Sequence, residues 1–193
     1  MKLRYALTTI LTLSLALAAT AEQYRPARGS SIRIEGKSSL HDWKMEGSTI
    51  NGQVTTPPIG EWQNGITAAL VNVTIPVTSI RSEHAKMDKL MADALKSKAN
   101  PDIRYQLTTA TSSGSGPYQV STKGKLTIAG VTRDVDMLVS VSRDATGAYL
   151  LTGSLPIRMS DYGIKPPTAM LGTIKTGNDV KVSFRWVVQP GTN

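Results

Sequence analysis

The stretch Tyr118-Gln119-Val120-Ser121-Thr122-Lys123-Gly124-Lys125-Leu126-Thr127-Ile128 alternates at period two. Tyr118, Val120, Thr122, Gly124, Leu126 and Ile128 share one side, and Gln119, Ser121, Lys123, Lys125 and Thr127 share the other. Successive side chains of a strand point to opposite faces, so this is a β-strand with one largely apolar and one polar face. Ala129 to Asp134 contains Gly130 and reads as the connection into a second alternating run, Val135, Met137, Val139 and Val141. Together they predict a long β-hairpin. The last run of the chain repeats the signal through Val180, Val182, Phe184, Trp186 and Val188, with Lys181, Ser183 and Arg185 opposite.

Outward from these elements, Ser31 to Glu35, His41 to Thr55, Ile66 to Val77, Ile103 to Thr111 and Tyr149 to Arg158 are β-rich runs bounded by Gly, Pro, Asn or Ser. The total is about eight strands. Within His41 to Thr55 the apolar parity changes: Trp43 and Met45 are odd, Ile50 and Val54 even, and Gly47 sits near the change as a bulge or bend. Long strands that bend are what a closing sheet requires. One helix is predicted over about 82–98. Ser82 caps it, Glu83 suits its positive end, and Met87, Leu90, Met91, Ala94 and Leu95 form its apolar stripe. Lys96 and Lys98 suit the end before Pro101. The fold class is therefore all-β, an eight-stranded antiparallel barrel with one amphipathic helix covering an opening.

The N-terminus reads as a secretory signal peptide, residues 1–21. Lys2 and Arg4 give a basic start, Ala6 to Ala18 is apolar apart from Thr and Ser, and Ala19-Thr20-Ala21 is a small-x-small cleavage signal before Glu22. The expected mature protein, 22–193, is one domain large enough to bury its own core. It would be exported. The leader takes two of the 22 basic residues, so the net charge falls from +8 to +6. The remaining basic residues are scattered, which reads as a solvated surface able to meet a membrane surface transiently; nothing points to nucleic acid. Cysteine is absent, which removes thiolate chemistry, Cys-based metal sites and disulfides.

Which face of the barrel is apolar decides its class. A membrane barrel turns that face to lipid, a soluble binding barrel turns it inward. Ten aromatics are too few for two interfacial girdles, and an amphipathic helix interrupts the strands, so the inward reading is preferred. The parity then puts Trp43, Met45, Val73, Tyr105, Leu126, Met137, Phe184 and Trp186 in the interior. Gly124 and Gly153 there leave space. Met87, Leu90 and Met91 would cover the opening, and His41, Arg158, Tyr162 and Lys165 are candidates for its mouth and a ligand headgroup.

Reactive groups are sparse. His41 and Asp42 are neighbours on a strand and point to opposite faces, so they cannot pair directly in an extended chain. Ser39 and His41 share a face, but no Gly-x-Ser-x-Gly elbow is present. The two histidines, His41 and His84, have no close-spaced ligand partner, so no metal is expected. No catalytic residues are assigned.

Several landmarks occur in order. They are Ser38-Ser39-Leu40-His41-Asp42-Trp43, the helix running into Asn100-Pro101-Asp102-Ile103-Arg104-Tyr105, the hairpin Gly124 to Arg133, and Asp161-Tyr162-Gly163-Ile164. Over about residues 31 to 188 the chain resembles the YceI-like family, in a subgroup marked by His-Asp-Trp and Asp-Tyr-Gly-Ile-x-Pro-Pro. The resemblance implies an extended lipocalin-like barrel, periplasmic, whose interior holds a long isoprenoid or similar amphiphile. It implies no catalytic residues and no cofactor; the guest would be an isoprenoid, a quinone or a fatty-acid-like lipid. The expected function is a periplasmic binding or carrier protein, with a hydrophobic small molecule as partner and a second copy of the chain as a further one. The alternatives are a ligand-free structural or protein-interaction barrel of the cell envelope and a hydrolase using His41.

Overall fold

A computed structural model describes residues 22–56, 70–113 and 118–191. The expected leader, residues 1–21, lies outside them, as do Ile66 to Ala69 at the start of one expected strand. In chain order the elements are β1 (Glu22–Pro26), β2 (Ser31–Ser38), β3 (Asp42–Gly47), β4 (Asn51–Thr56), β5 (Leu70–Pro76), α1 (Ala85–Ala94), β6 (Asp102–Ser113), β7 (Tyr118–Ile128), β8 (Val131–Arg143), β9 (Tyr149–Arg158), β10 (Thr168–Ala169) and β11 (Ile174–Pro190). Neighbours pair antiparallel in the order β1-β4-β5-β6-β7-β8-β9-β11, and β11 pairs back onto β1 through Tyr24↔Pro190 and Pro26↔Val188. The sheet closes into a barrel, which leaves no edge strand along that circuit.

Two of the eight staves are bent in the middle. β1 and β2 form one stave: both pair with β11, β1 near its end and β2 along its centre. The corner between them is pinned by Ser30, whose hydroxyl accepts from Val187 N–H at 3.0 Å and donates to the Ala27 carbonyl at 3.1 Å. The sequence reading began this stave at Ser31 and missed β1, because five residues with two charged side chains and a proline carry little alternation. β3 and β4 form the second bent stave, breaking just after Gly47 as the parity change predicted. A Cβ at Gly47 would sit 3.0 Å from the Ser79 carbonyl, so the corner is tight.

Three boundaries differ from the sequence reading. The β7–β8 connection is two residues, Ala129 and Gly130, both at positive φ (51° and 83°), and not the six-residue span expected. That pair suits the right-handed twist of a two-residue hairpin. The last strand starts at Ile174, with an irregular register between Thr176 and Val180. The helix is Ala85–Ala94, shorter than 82–98, and Ser82 does not cap it. The Asp88 carboxylate instead reaches back to Ser82, accepting from its N–H at 2.7 Å and its hydroxyl at 2.8 Å. Those two bonds hold Asp88 below the ordinary carboxylate range.

The apolar parity of every long strand faces inward. Val120, Leu126, Ile128, Val139, Val141, Trp186 and Val188 are buried, while Ser121, Lys123, Lys125, Lys181 and Arg185 stand in solvent. This is the reverse of a barrel that sits in lipid. At the end away from α1, Tyr24, Tyr149, Trp186 and Val188 pack together. Tyr24 and Tyr149 meet edge to face with centroids 5.0 Å apart, and Trp186 Nε1–H donates to the Ile50 carbonyl at 3.2 Å. Burial, with a hydrogen bond to Glu22, pushes the Tyr24 phenol pKa well up.

Candidate functional site

The barrel encloses a cavity of about 480 Å³. All eight interior candidates line it, so Trp43, Met45, Val73, Tyr105, Leu126, Met137, Phe184 and Trp186 share one space. Met87, Leu90 and Met91 of α1 line it too, with Ala94 and Leu95, so the helix lays its apolar stripe across one end. Val180 and Val182 of the predicted inward face line it too, and Ile32, Ile34, Leu107, Leu151 and Leu155, which the sequence reading did not name, add to the wall at the same period-two parity. That parity was usable at those positions as well. In β6 the parity switches from Ile103, Tyr105 and Leu107 to Ala110 at a bulge between Leu107 and Thr109, a step that no residue type announces.

Glycines make the wall thin where aromatics need to lie down. A Cβ at Gly124 would stand 2.5 Å from the Tyr105 ring, one at Gly153 2.7 Å from Phe184, and one at Gly36 2.3 Å from Trp43. Each ring therefore occupies the space that a side chain on a glycine of a neighbouring strand would need.

Polar groups are few within this lining. Among the described residues the buried Tyr105 hydroxyl has no hydrogen-bond partner, and burial raises its pKa. Thr122, on the adjoining strand, donates its own hydroxyl to the Met137 carbonyl at 3.1 Å. The remaining polar lining residues gather at the α1 end: Ser38, His41, His84, Lys86 and Thr176. Pro167, Ala169 and Ile174, from the β10–β11 hairpin, join them. Among the described residues the cavity thus reaches the surface between the β2–β3 turn, the start of α1 and that hairpin.

His41 is the one mouth candidate that lines the cavity. Arg158 is exposed beside Asp179 at 3.9 Å, and Lys165 is exposed; neither belongs to the lining. Tyr162 is 3% exposed and packs into the core beneath the same end. Gly163 follows it at φ 64°, ending the short turn Met159–Tyr162, so Asp161-Tyr162-Gly163 anchors the loop. His84 and Lys86 were missed because only docking of the helix brings its first turn to the mouth.

The geometry around His41 is that of a turn. His41 Nδ1 lies 2.7 Å from the Asp42 carbonyl, and Ser38 donates its hydroxyl to the His41 carbonyl at 2.8 Å. The Ser39 hydroxyl accepts from Lys175 N–H at 3.0 Å. These hydroxyls are occupied in joining the turn to β11 and are not aligned with an imidazole base. Among the described residues no group of three or more His, Asp or Glu gathers to hold a metal ion.

The sequence model of the YceI-like domain family matches residues 25–188. A UPF0312 protein of Shewanella baltica is 35% identical over 51% of this chain and 54% of its own length. The chain thus spans about half the length of the curated relatives it matches first. A UPF0312 protein of Pseudomonas putida is 28% identical over 94% of this chain and 97% of its own. Among solved structures, a polyisoprenoid binding domain from Saccharophagus degradans superposes with TM-score 0.68 at 12% identity, covering 89% of this chain and all of that one. BcnA of Burkholderia cenocepacia does so with TM-score 0.67 at 19% identity, over 83% of this chain and 96% of that one. The closed barrel, its landmarks and the matched span agree: this chain belongs to the YceI-like family.

Proposed function

We propose that the protein is a periplasmic carrier that holds a hydrophobic, chain-like molecule non-covalently inside its barrel. The observation that carries this reading is the cavity of about 480 Å³, walled by aliphatic and aromatic side chains and open beside α1. That size lies within the span of small-molecule sites, roughly 300–1,000 Å³. Each methylene a guest buries contributes about 0.8 kcal/mol before ordering costs, so a long chain needs few polar contacts. The fold neighbour described as a polyisoprenoid binding domain makes an isoprenoid the first guest to test, with quinones and fatty-acid-like lipids next.

Within this reading the residues divide the work. The aliphatic wall excludes water along the chain, and Trp43, Tyr105 and Phe184 offer flat faces to it. The Tyr105 hydroxyl donates to an acceptor on the guest, which relieves an unsatisfied buried donor. His41, His84 and Lys86 would meet a polar end at the mouth. No bond of the guest is made or broken.

Native mass spectrometry and organic extraction of protein purified without detergent from its own host provide the test. The expected result is a bound amphiphile that is lost on denaturation. An empty protein that also refuses prenols, quinones and fatty acids would sink the carrier reading and favour a structural barrel. Export is tested by N-terminal sequencing of the periplasmic fraction, where Glu22 should be the first residue.

A further inference from the structure

Three of the five exposed large apolar side chains among the described residues stand at the cavity mouth: Leu40 is 65% exposed, Met170 72% and Leu171 109%. Leu40 lies in the β2–β3 turn and the other two at the tip of the β10–β11 hairpin. The two loops form one unit, since Ser39 N–H donates to the Lys175 carbonyl at 2.9 Å and Ser39 Oγ accepts from Lys175 N–H. Pro167, Ala169 and Ile174 of the same hairpin line the cavity, whereas Leu40, Met170 and Leu171 do not. The hairpin's inner side therefore belongs to the site and its tip points away from it.

The backbone of the tip sets these side chains outward. Met170 and Leu171 sit at φ 52° and 56°, in the left-handed region that suits glycine, and Gly172 follows at 91°. L-residues occupy that region only against a steric cost, and here the cost presents two bulky apolar groups to solvent. Nothing lies within 4 Å of the Cβ position at Gly172, so the tip stands clear of the rest of the protein. The charges along the hairpin itself have one sign. From Tyr162 through Asn178 the chain carries Lys165 and Lys175 and no carboxylate, and Lys37 precedes Leu40. All three lysines are exposed. Carboxylates flank this stretch: Asp42 pairs across from Lys37 at the start of β3, Glu83 stands just before α1, Asp161 lies in the turn before Gly163, and Asp179 is beside Arg158.

We propose that this end of the barrel docks on an anionic lipid bilayer, with Leu40, Met170 and Leu171 entering the interface and Lys37, Lys165 and Lys175 against the headgroups. A projecting apolar tip flanked by lysines on its own hairpin matches a fluid, negatively charged surface, which needs no shaped pocket to receive it. Docking would place the cavity mouth on the membrane, so that a hydrophobic guest could pass without crossing water. The proposal rests on the carrier reading for its purpose, but the surface can be tested apart from it.

The test is co-flotation of the chain from Glu22, which carries every strand of the barrel, with vesicles of phosphatidylcholine alone or mixed with phosphatidylglycerol. Wild type should float with the mixed vesicles, much less with phosphatidylcholine alone, and lose binding as salt rises. Leu171→Asp and Met170→Asp should each reduce binding at least about tenfold, and Lys165→Glu with Lys175→Glu by a similar factor. Leu138→Asp, on the exposed barrel wall, should bind as wild type. Uptake of a prenol supplied in detergent should be unchanged in Leu171→Asp, which separates loss of docking from loss of the site. Absence of wild-type flotation, equal loss in Leu138→Asp, or a wild-type oligomer that Leu171→Asp dissolves would each overturn the proposal, the last in favour of a second copy on this tip. Flotation by a protein that takes up no guest would leave docking standing and remove the carrier reading.

Discussion

Phe184 lies directly across from Gly153 on the β9–β11 ladder, and the phenyl ring occupies the space that a side chain at 153 would need. A Cβ there would be 2.7 Å from Phe184 Cζ and 3.2 Å from the Leu138 carbonyl. Tyr105 with Gly124 and Trp43 with Gly36 repeat the arrangement on other strands. Bulk that would otherwise fill the lumen is laid along its wall. An eight-stranded barrel is just wide enough either to fill with its own side chains or to hold a small ligand, so three reclining rings bear on which outcome prevails.

Gly153→Val should close part of the cavity. The valine would force Phe184 off the wall and into the lumen, and the backbone contact to Leu138 would add strain. Loss of guest affinity of about tenfold and a stability cost of roughly 1–3 kcal/mol are expected, read by prenol titration and urea unfolding. Unchanged affinity would show that the guest does not pass Phe184.

Tyr105→Phe removes a buried hydroxyl that has no hydrogen-bond partner among the described residues. Unfolding in urea should shift by no more than about 1 kcal/mol, toward greater stability if anything, since an unsatisfied group costs roughly 1–3 kcal/mol. Affinity should fall for a guest with a carbonyl or hydroxyl oxygen and hold for a plain hydrocarbon chain. A large destabilisation would mean that Thr122 accepts this hydroxyl in solution.

Trp186→Phe should destabilise through a different route. The indole is 3% exposed and its N–H satisfies the Ile50 carbonyl at the start of β4. Phenylalanine keeps most of the apolar volume but leaves that carbonyl unpaired, at roughly 1–3 kcal/mol. The urea midpoint should fall at constant slope.

Acid should loosen the start of α1. The folded pKa of Asp88 is depressed below its model-peptide value of 3.8 by the bonds from Ser82. The stabilisation it contributes is therefore complete above that value and disappears as pH falls below it through the depressed one. The methyl resonances of Met87 and Met91 should move below about pH 4. Asp88→Asn should place them near the low-pH position at neutral pH, because an amide holds Ser82 only weakly.

Much of this protein was legible in one dimension. The alternation through Tyr118–Ile128 and Val180–Val188 was strong because the inward face excludes water while the outward face meets it, so burial writes itself at period two. The cavity wall followed from the same parity, and the bend after Gly47 from its reversal. β1 escaped because it is short and polar, and the mouth was misplaced because charge beside a conspicuous motif does not say which way a loop leans. Tyr162 packs into the core, Arg158 and Lys165 stay outside the lining, and the start of α1 supplies His84 and Lys86.

The sequence by itself determined the long strands, the apolar face of most of them and the family, since these depend on residue type and spacing along the chain. Only the tertiary structure decided that the barrel stays open inside, where it opens, and that the loops carrying Leu40 and Met170–Leu171 are joined at that opening. Those are relations between residues far apart in the chain: a ring reclines on a glycine of another strand, and two loops are joined by Ser39 and Lys175. Their closeness is set by closure of the sheet, which no local pattern encodes.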